Sequence, residues 1–114
     1  MWWADLDPVR GHEQGGRRPA VVLSVDRHNR GRSGLVVVCP LTRAEAPRSL
    51  HVLIDPPEAN LADRSFVLPE HLRSISIERL GRRIGRVTPA TAAAIDERLG
   101  SLLGLRVPPP GRSI

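Results

Sequence analysis

The sequence predicts a mainly β fold, a small antiparallel barrel or half-barrel closed by one C-terminal helix. Three observations lead there. At 114 residues the chain has room for one core. Five or six short apolar or alternating runs are separated by turn-forming residues. After Thr88 the apolar residues change to three- and four-residue steps, the stripe of an amphipathic helix.

The elements follow in order. Residues 2–6 alternate bulky and polar groups before Asp7-Pro8, which reads as a first strand ended by a turn. Residues 9–17 form a polar loop rich in Gly and Arg. The β-branched run 19–24 is a second strand, and 25–34 carries the Asp, Asn and Gly signals of turns. Residues 35–41 (LVVVCPL) are apolar without alternation, as a central strand buried on both faces would be. A polar link over 42–49 precedes a short strand at 50–54, ended by Pro56-Pro57. Two more short strands are expected at 65–68 and 73–77, and 79–87 is a basic segment with apolar residues at Leu80, Ile84 and Val87. Thr88 is placed to cap a helix with Pro89 at its first position, Ala92, Ile95, Leu99, Leu102 and Leu103 form its stripe, and Gly104 is its stop. The domain is expected over 1–105, with 106–114 a Pro-rich disordered tail.

Composition narrows the chemistry. All 17 basic residues are Arg, against 12 acids, for a net charge of +5. A chain without Lys has neither a Schiff-base amine nor a Walker-type phosphate loop. Guanidinium groups suit polyanions or an acidic protein partner. Arg in place of Lys beside abundant Gly and Pro is also what a GC-rich genome writes, so charge alone names no site. The single cysteine, Cys39, allows no internal disulfide and no Cys-pair zinc site, and its apolar strand marks it as inert packing. No window reaches the ~20 apolar residues of a spanning helix. A reducing, cytoplasmic setting with no membrane is the simplest reading.

Two places concentrate reactive groups. The loop Gly11, His12, Glu13, Gln14, Gly15, Gly16, Arg17, Arg18 leads into a buried strand. Its glycines admit close backbone approach, and Arg18 at the strand entry is held more firmly than a loop-tip residue. A solvated loop explains the same residues equally well. The run Pro69, Glu70, His71, Leu72, Arg73 brings an acid, an imidazole and a guanidinium together, enough for proton transfer and phosphate neutralisation or for a salt-bridged corner. Thr42, after the buried strand, is a phosphate donor or a turn former. His28 and His51 have no partner at metal-ligand spacing. Phe66, Trp2 and Trp3 read as core or interface.

The order of these motifs resembles the MazF/PemK/Kid family of toxin endoribonucleases from type II toxin–antitoxin modules. The resemblance rests on WADLDPVRGHEQGGRRPAVVLS over 3–24, VVVCPLT over 36–42, LRSIS over 72–76 and Arg79-Leu80, and it runs from Trp2 to about Leu103. It implies an SH3-like, CcdB-like barrel acting as a homodimeric, cofactor-free and metal-independent ribonuclease. Such an enzyme cuts single-stranded RNA to leave 2′,3′-cyclic phosphate and 5′-hydroxyl ends, and an acidic antitoxin neutralises it. The family's catalytic Arg and Thr fall on Arg18 and Thr42. His12 joins them, with Glu13, Gln14, Gly16, Glu70, His71 and Arg73 in supporting or RNA-binding roles.

Departures leave points open. Many members have Asp-Gln where this chain has Glu70-His71, and Leu68 stands where one branch has a catalytic Arg, so that branch's pair is not intact and whether Glu70 or His71 takes over a base role is open. Members also carry a short segment before the first Trp, so either a start lies upstream of Met1 or the first strand is short. The alternative function is a non-enzymatic module on the same fold, a catalytically inactive or CcdB-like poison of a target such as DNA gyrase.

Overall fold

A computed structural model describes residues 1–44 and 50–105. Seven strands form the antiparallel framework: β1 (Trp2–Asp5), β2 (Arg17–Val22), β3 (Leu35–Thr42), β4 (Val52–Ile54), β5 (Ser65–Val67), β6 (Arg73–Ser76) and β7 (Leu80–Arg83). Two helices join them, the single-turn α1 (Asp26–Asn29) and the terminal α2 (Pro89–Leu103). The strand order is β4-β5-β3-β2-β1-β7, with β6 added beside β3. No pairing among the described residues joins β4 to β7, so the sheet and closing helix are as expected while ring closure is not displayed. Residues 45–49 of the expected polar link and the Pro-rich tail lie outside the described residues.

β3 is the hub because its residues are apolar on both faces. Val36 and Val38 pack with Ala4, Leu6, Ala20 and Ile75 on one side. Cys39 and Leu41 pack with Met1, Val21, Val52, Ile54, Val67 and Ile95 on the other. Along one edge β3 pairs with β2 from Val38 to Pro40. Along the other it changes partner, from β6 over 35–38 to β5 at Leu41 and Thr42. Pro40, which has no N–H to give a ladder, sits at that change, and its carbonyl accepts from the Leu68 N–H at 3.0 Å. The turn Pro69–His71 fills the gap between β5 and β6.

Three local readings need correction. The 25–34 turn contains the helical turn α1, held where Ser24 and Asn29 hydrogen-bond side chain to side chain. The basic segment 79–87 contains β7, which pairs with β1; its apolar spacing hid a strand that takes its partner from the far end of the chain. The helix is bounded as expected: Thr88 Oγ1 accepts from the Thr91 N–H at 3.2 Å, and past Gly104 the Leu105 N–H closes onto the Gly100 carbonyl at 2.8 Å. Its stripe is buried only in part. Ile95 is fully buried, whereas Leu102 and Leu103 are 40% and 53% exposed. The Met1 amine donates to the Gly85 carbonyl at 2.8 Å, and burial together with Arg83 and Arg86 lowers its pKa to about 6.

Ile95 is the helix residue embedded in the larger core cluster. Ile95→Ala is expected to destabilise the chain by about 2–5 kcal/mol, because removing a buried aliphatic group loses its transfer energy and leaves a cavity. Urea unfolding measures this; a loss below about 1 kcal/mol would mean that α2 is not packed on the sheet as described.

Candidate active site

The loop between β1 and β2 is closed by its own backbone and one carboxylate. Leu6 N–H donates to the Gly16 carbonyl at 3.0 Å, and Asp7 Oδ1 accepts from the Gly16 N–H at 2.9 Å. Gly16 has φ of +75°, a conformation that favours glycine. At Gly15 a Cβ would stand 2.6 Å from Asp7 Oδ1 and 2.8 Å from Val9, so a side chain there would push the closure open. Arg10 and Glu13 complete an inner turn: Glu13 Oε1 accepts from the Arg10 N–H at 2.7 Å.

This closure aims Arg18. Its Nε donates to the Gly15 carbonyl at 2.9 Å and an Nη to the Leu41 carbonyl at 3.1 Å. One guanidinium therefore ties the loop to β3 one residue before Thr42. Arg18 and Thr42 line a cleft of about 350 Å³ whose walls include Trp3, Arg17, Arg43 and Asp63. Arg43 and Asp63 make an exposed ion pair at 3.4 Å. Arg17 stacks on the Trp3 ring, 5.5 Å from its centroid. It borders the same cleft as Arg18, nearer than two successive strand residues facing opposite ways would suggest.

Thr42 also faces a second cleft, of about 500 Å³, lined by His12, Gln14, His51, Leu68, Glu70 and His71 among others. Thr42 is thus the wall common to both clefts. Its Oγ1 accepts from the Ala44 N–H at 3.2 Å, which leaves the hydroxyl hydrogen to be donated. Arg18, Thr42, His12, Gln14, Glu70 and His71 are brought to this pair of clefts. Three expected residues are not. Glu13 is spent on the loop turn and meets Glu70, His71 and Arg73 only in a separate pocket of about 130 Å³. Arg73 donates to the Leu6 carbonyl at 3.1 Å, buttressing the start of the loop. Gly16 serves through its backbone.

His51 is the residue that sequence reasoning passed over. Its Nε2 lies 3.0 Å from Glu70 Oε2 in the second cleft. The one available signal was its position: Val52 and Ile54 point to the core, which fixes the strand's inward face. A search for metal spacing could not see a carboxylate 19 residues away. Among the described residues no group of three or more His, Cys, Asp or Glu side chains is placed to hold a metal ion, and no helix is long and apolar enough to cross a membrane.

Cys39 lies beneath this corner. Burial, and then the charge of Glu70, push its thiol up to about 12. The thiol should stay unmodified by iodoacetamide at pH 7–9 in the folded chain and react once urea unfolds it; rapid native alkylation in that range would show that the strand opens or that the charge beside it is absent.

Comparison with known proteins identifies the family and the fold. The family model for PemK-like, MazF-like toxins of type II toxin–antitoxin systems matches residues 1–103. Endoribonuclease MazF9 of Mycobacterium tuberculosis is 41% identical over 104 residues, spanning 87% of this chain and 88% of that protein. A crystal structure of MazF from Deinococcus radiodurans superposes with a TM-score of 0.79 at 35% identity, covering 90% of this chain and 91% of the other. A MazE–MazF crystal structure from the same organism gives 0.74 at 34% identity, covering 92% of each chain.

Proposed function

This chain belongs to the PemK-like, MazF-like toxin family of type II toxin–antitoxin systems, and from that membership we propose how it acts as an endoribonuclease. It cuts single-stranded RNA in the cytoplasm without a metal, by attack of a ribose 2′-hydroxyl on the adjacent phosphorus. The products carry a 2′,3′-cyclic phosphate and a 5′-hydroxyl. The observation that carries this is Thr42 standing between a guanidinium cleft and an acid-imidazole cleft.

In-line attack needs a base on one side of phosphorus and charge relief for the other. A phosphate seated at Thr42 meets both. Glu70 in the second cleft takes the 2′-hydroxyl proton as the O2′–P bond forms. The P–O5′ bond breaks toward the first cleft, where O5′ gains a proton from solvent. Arg18, fixed by two carbonyls, holds the non-bridging oxygens and opposes the charge that grows on them. A guanidinium is too weak an acid at neutral pH to serve better as a proton donor. Thr42 adds a neutral hydrogen bond. His12, Gln14 and Arg17, at the cleft rims, hold the flanking nucleotides.

The same arrangement explains neutralisation. The similar Deinococcus protein is seen with MazE, and an acidic antitoxin segment laid along Arg17, Arg18 and Arg43 would occupy the place of the RNA backbone. The chain acts as a homodimer, whose second copy covers apolar surface and strand edge that one copy leaves open.

With a long RNA of mixed sequence in EDTA, Arg18→Ala should lower the cleavage rate by about 10²–10³-fold, the usual cost of one transition-state donor. Arg17→Ala should cost much less and mainly raise KM. Equal losses would mean that bulk charge attracts RNA with no residue-specific site. An unmodified chain that cuts nothing would favour the non-enzymatic binding module.

A further inference from the structure

We propose that His51 is a positioning residue whose imidazole fixes the Glu70 carboxylate in the cleft beside Thr42, so that Glu70, and not His71, is the base. This rests on the reading that the paired clefts cut RNA.

The placement is built by three neighbouring strands. Val67 of β5 pairs with Val52 of β4 on one side and with Leu41 of β3 on the other. His51 immediately precedes Val52, Thr42 immediately follows Leu41, and Glu70 lies in the turn that continues from β5. Strand alternation turns His51 and Thr42 to the face opposite the buried Val52 and Leu41, and with Glu70 they line one cleft. His51 is the anchored member of the pair, its side chain 10% exposed against 28% for Glu70. A glutamate on an open turn samples many rotamers, and a base is effective only when its oxygen meets the proton in a narrow range of positions. The 3.0 Å contact holds Oε2, and Oε1 of the same carboxylate is then the oxygen available to take the proton. His71 has no such support: among the described residues its ring has no hydrogen-bond partner, and its backbone N–H closes the turn onto Leu68.

The step balances. The 2′-hydroxyl proton passes to Glu70 Oε1 as O2′ bonds to phosphorus, O5′ leaves with the electron pair of the broken bond and takes a proton from water, and Glu70 returns its proton to solvent. His51 exchanges nothing and touches no substrate atom.

A double-mutant cycle tests this with a fluorescent oligonucleotide containing a site mapped on a longer transcript, in EDTA. His51→Phe fills the same space without a donor, and His51→Gln restores an N–H near the Nε2 position. Thermal melting checks that each variant is folded. His51→Phe is expected to lower kcat by about 10- to 100-fold at unchanged KM, the scale of a misplaced catalytic group. His51→Gln should recover most of that, and in a Glu70→Gln background His51→Phe should add no further loss. Losses that multiply in the double variant, a change confined to KM, no rescue by Gln, or full speed in His51→Phe would each overturn the proposal while leaving the RNA-cleaving reading intact. Absence of cleavage by the unmodified chain would sink both.

Discussion

β3 has to satisfy two demands at once, burial on both faces and a change of partner along one edge, and the site is a consequence of how it does so. Because Val36 and Val38 face one apolar cluster while Cys39 and Leu41 face the other, the strand cannot slip by one residue without exchanging its two faces. That pins Leu41 and Thr42. The change from β6 to β5 at Pro40 leaves a gap that the turn 69–71 fills, and this turn carries Glu70 and His71. A proline that would weaken an ordinary central strand is here the joint at which that turn enters the sheet.

The second fixed point is the Arg18 guanidinium. By donating to the carbonyls of Gly15 and Leu41 it sets the loop against β3, and the loop can be set only because Asp7 has already closed it at Gly16. Hydrogen bonds to a charged donor are stronger than neutral ones, and spending two of them on backbone leaves the rest of the fork pre-organised toward the cleft. Arg73 and Arg79 support the same loop from below, Arg73 through the Leu6 carbonyl and Arg79 through the carbonyls of Asp5 and Asp7. Arg73 and Arg79 are therefore spent on holding the loop. Net charge alone says little about where RNA sits.

What could be read in the sequence was what depends on neighbours in the chain. The α2 boundaries follow from Thr88, Pro89 and Gly104, and the burial of β3 follows from an uninterrupted apolar run. Arg18 and Thr42 were reached through motif resemblance, and the fold brings them to one cleft. What was missed depends on partners far away. β7 is a strand because β1 lies beside it, and His51 meets Glu70 because β4 pairs with β5, the strand that leads into the turn carrying Glu70. Glu13 and Arg73, whose charges suggested substrate contacts, are taken by backbone groups that only the folded loop presents. Leu102 and Leu103 follow the helical period but stay largely exposed, because period alone does not say how far along a helix its apolar face is covered.

On the proposed reading the paired clefts act on a phosphodiester through its own neighbouring hydroxyl. The decisive experiment replaces the nucleotide on the 5′ side of the mapped cut with its 2′-deoxy form in an otherwise unchanged RNA. Mass spectrometry then identifies the ends formed in EDTA. The all-ribose strand should yield a 2′,3′-cyclic phosphate and a 5′-hydroxyl, while the substituted strand should stay whole at that position. Cleavage of the 2′-deoxy strand at the same bond, or products ending in a 5′-phosphate, would mean that the neighbouring hydroxyl is not the nucleophile.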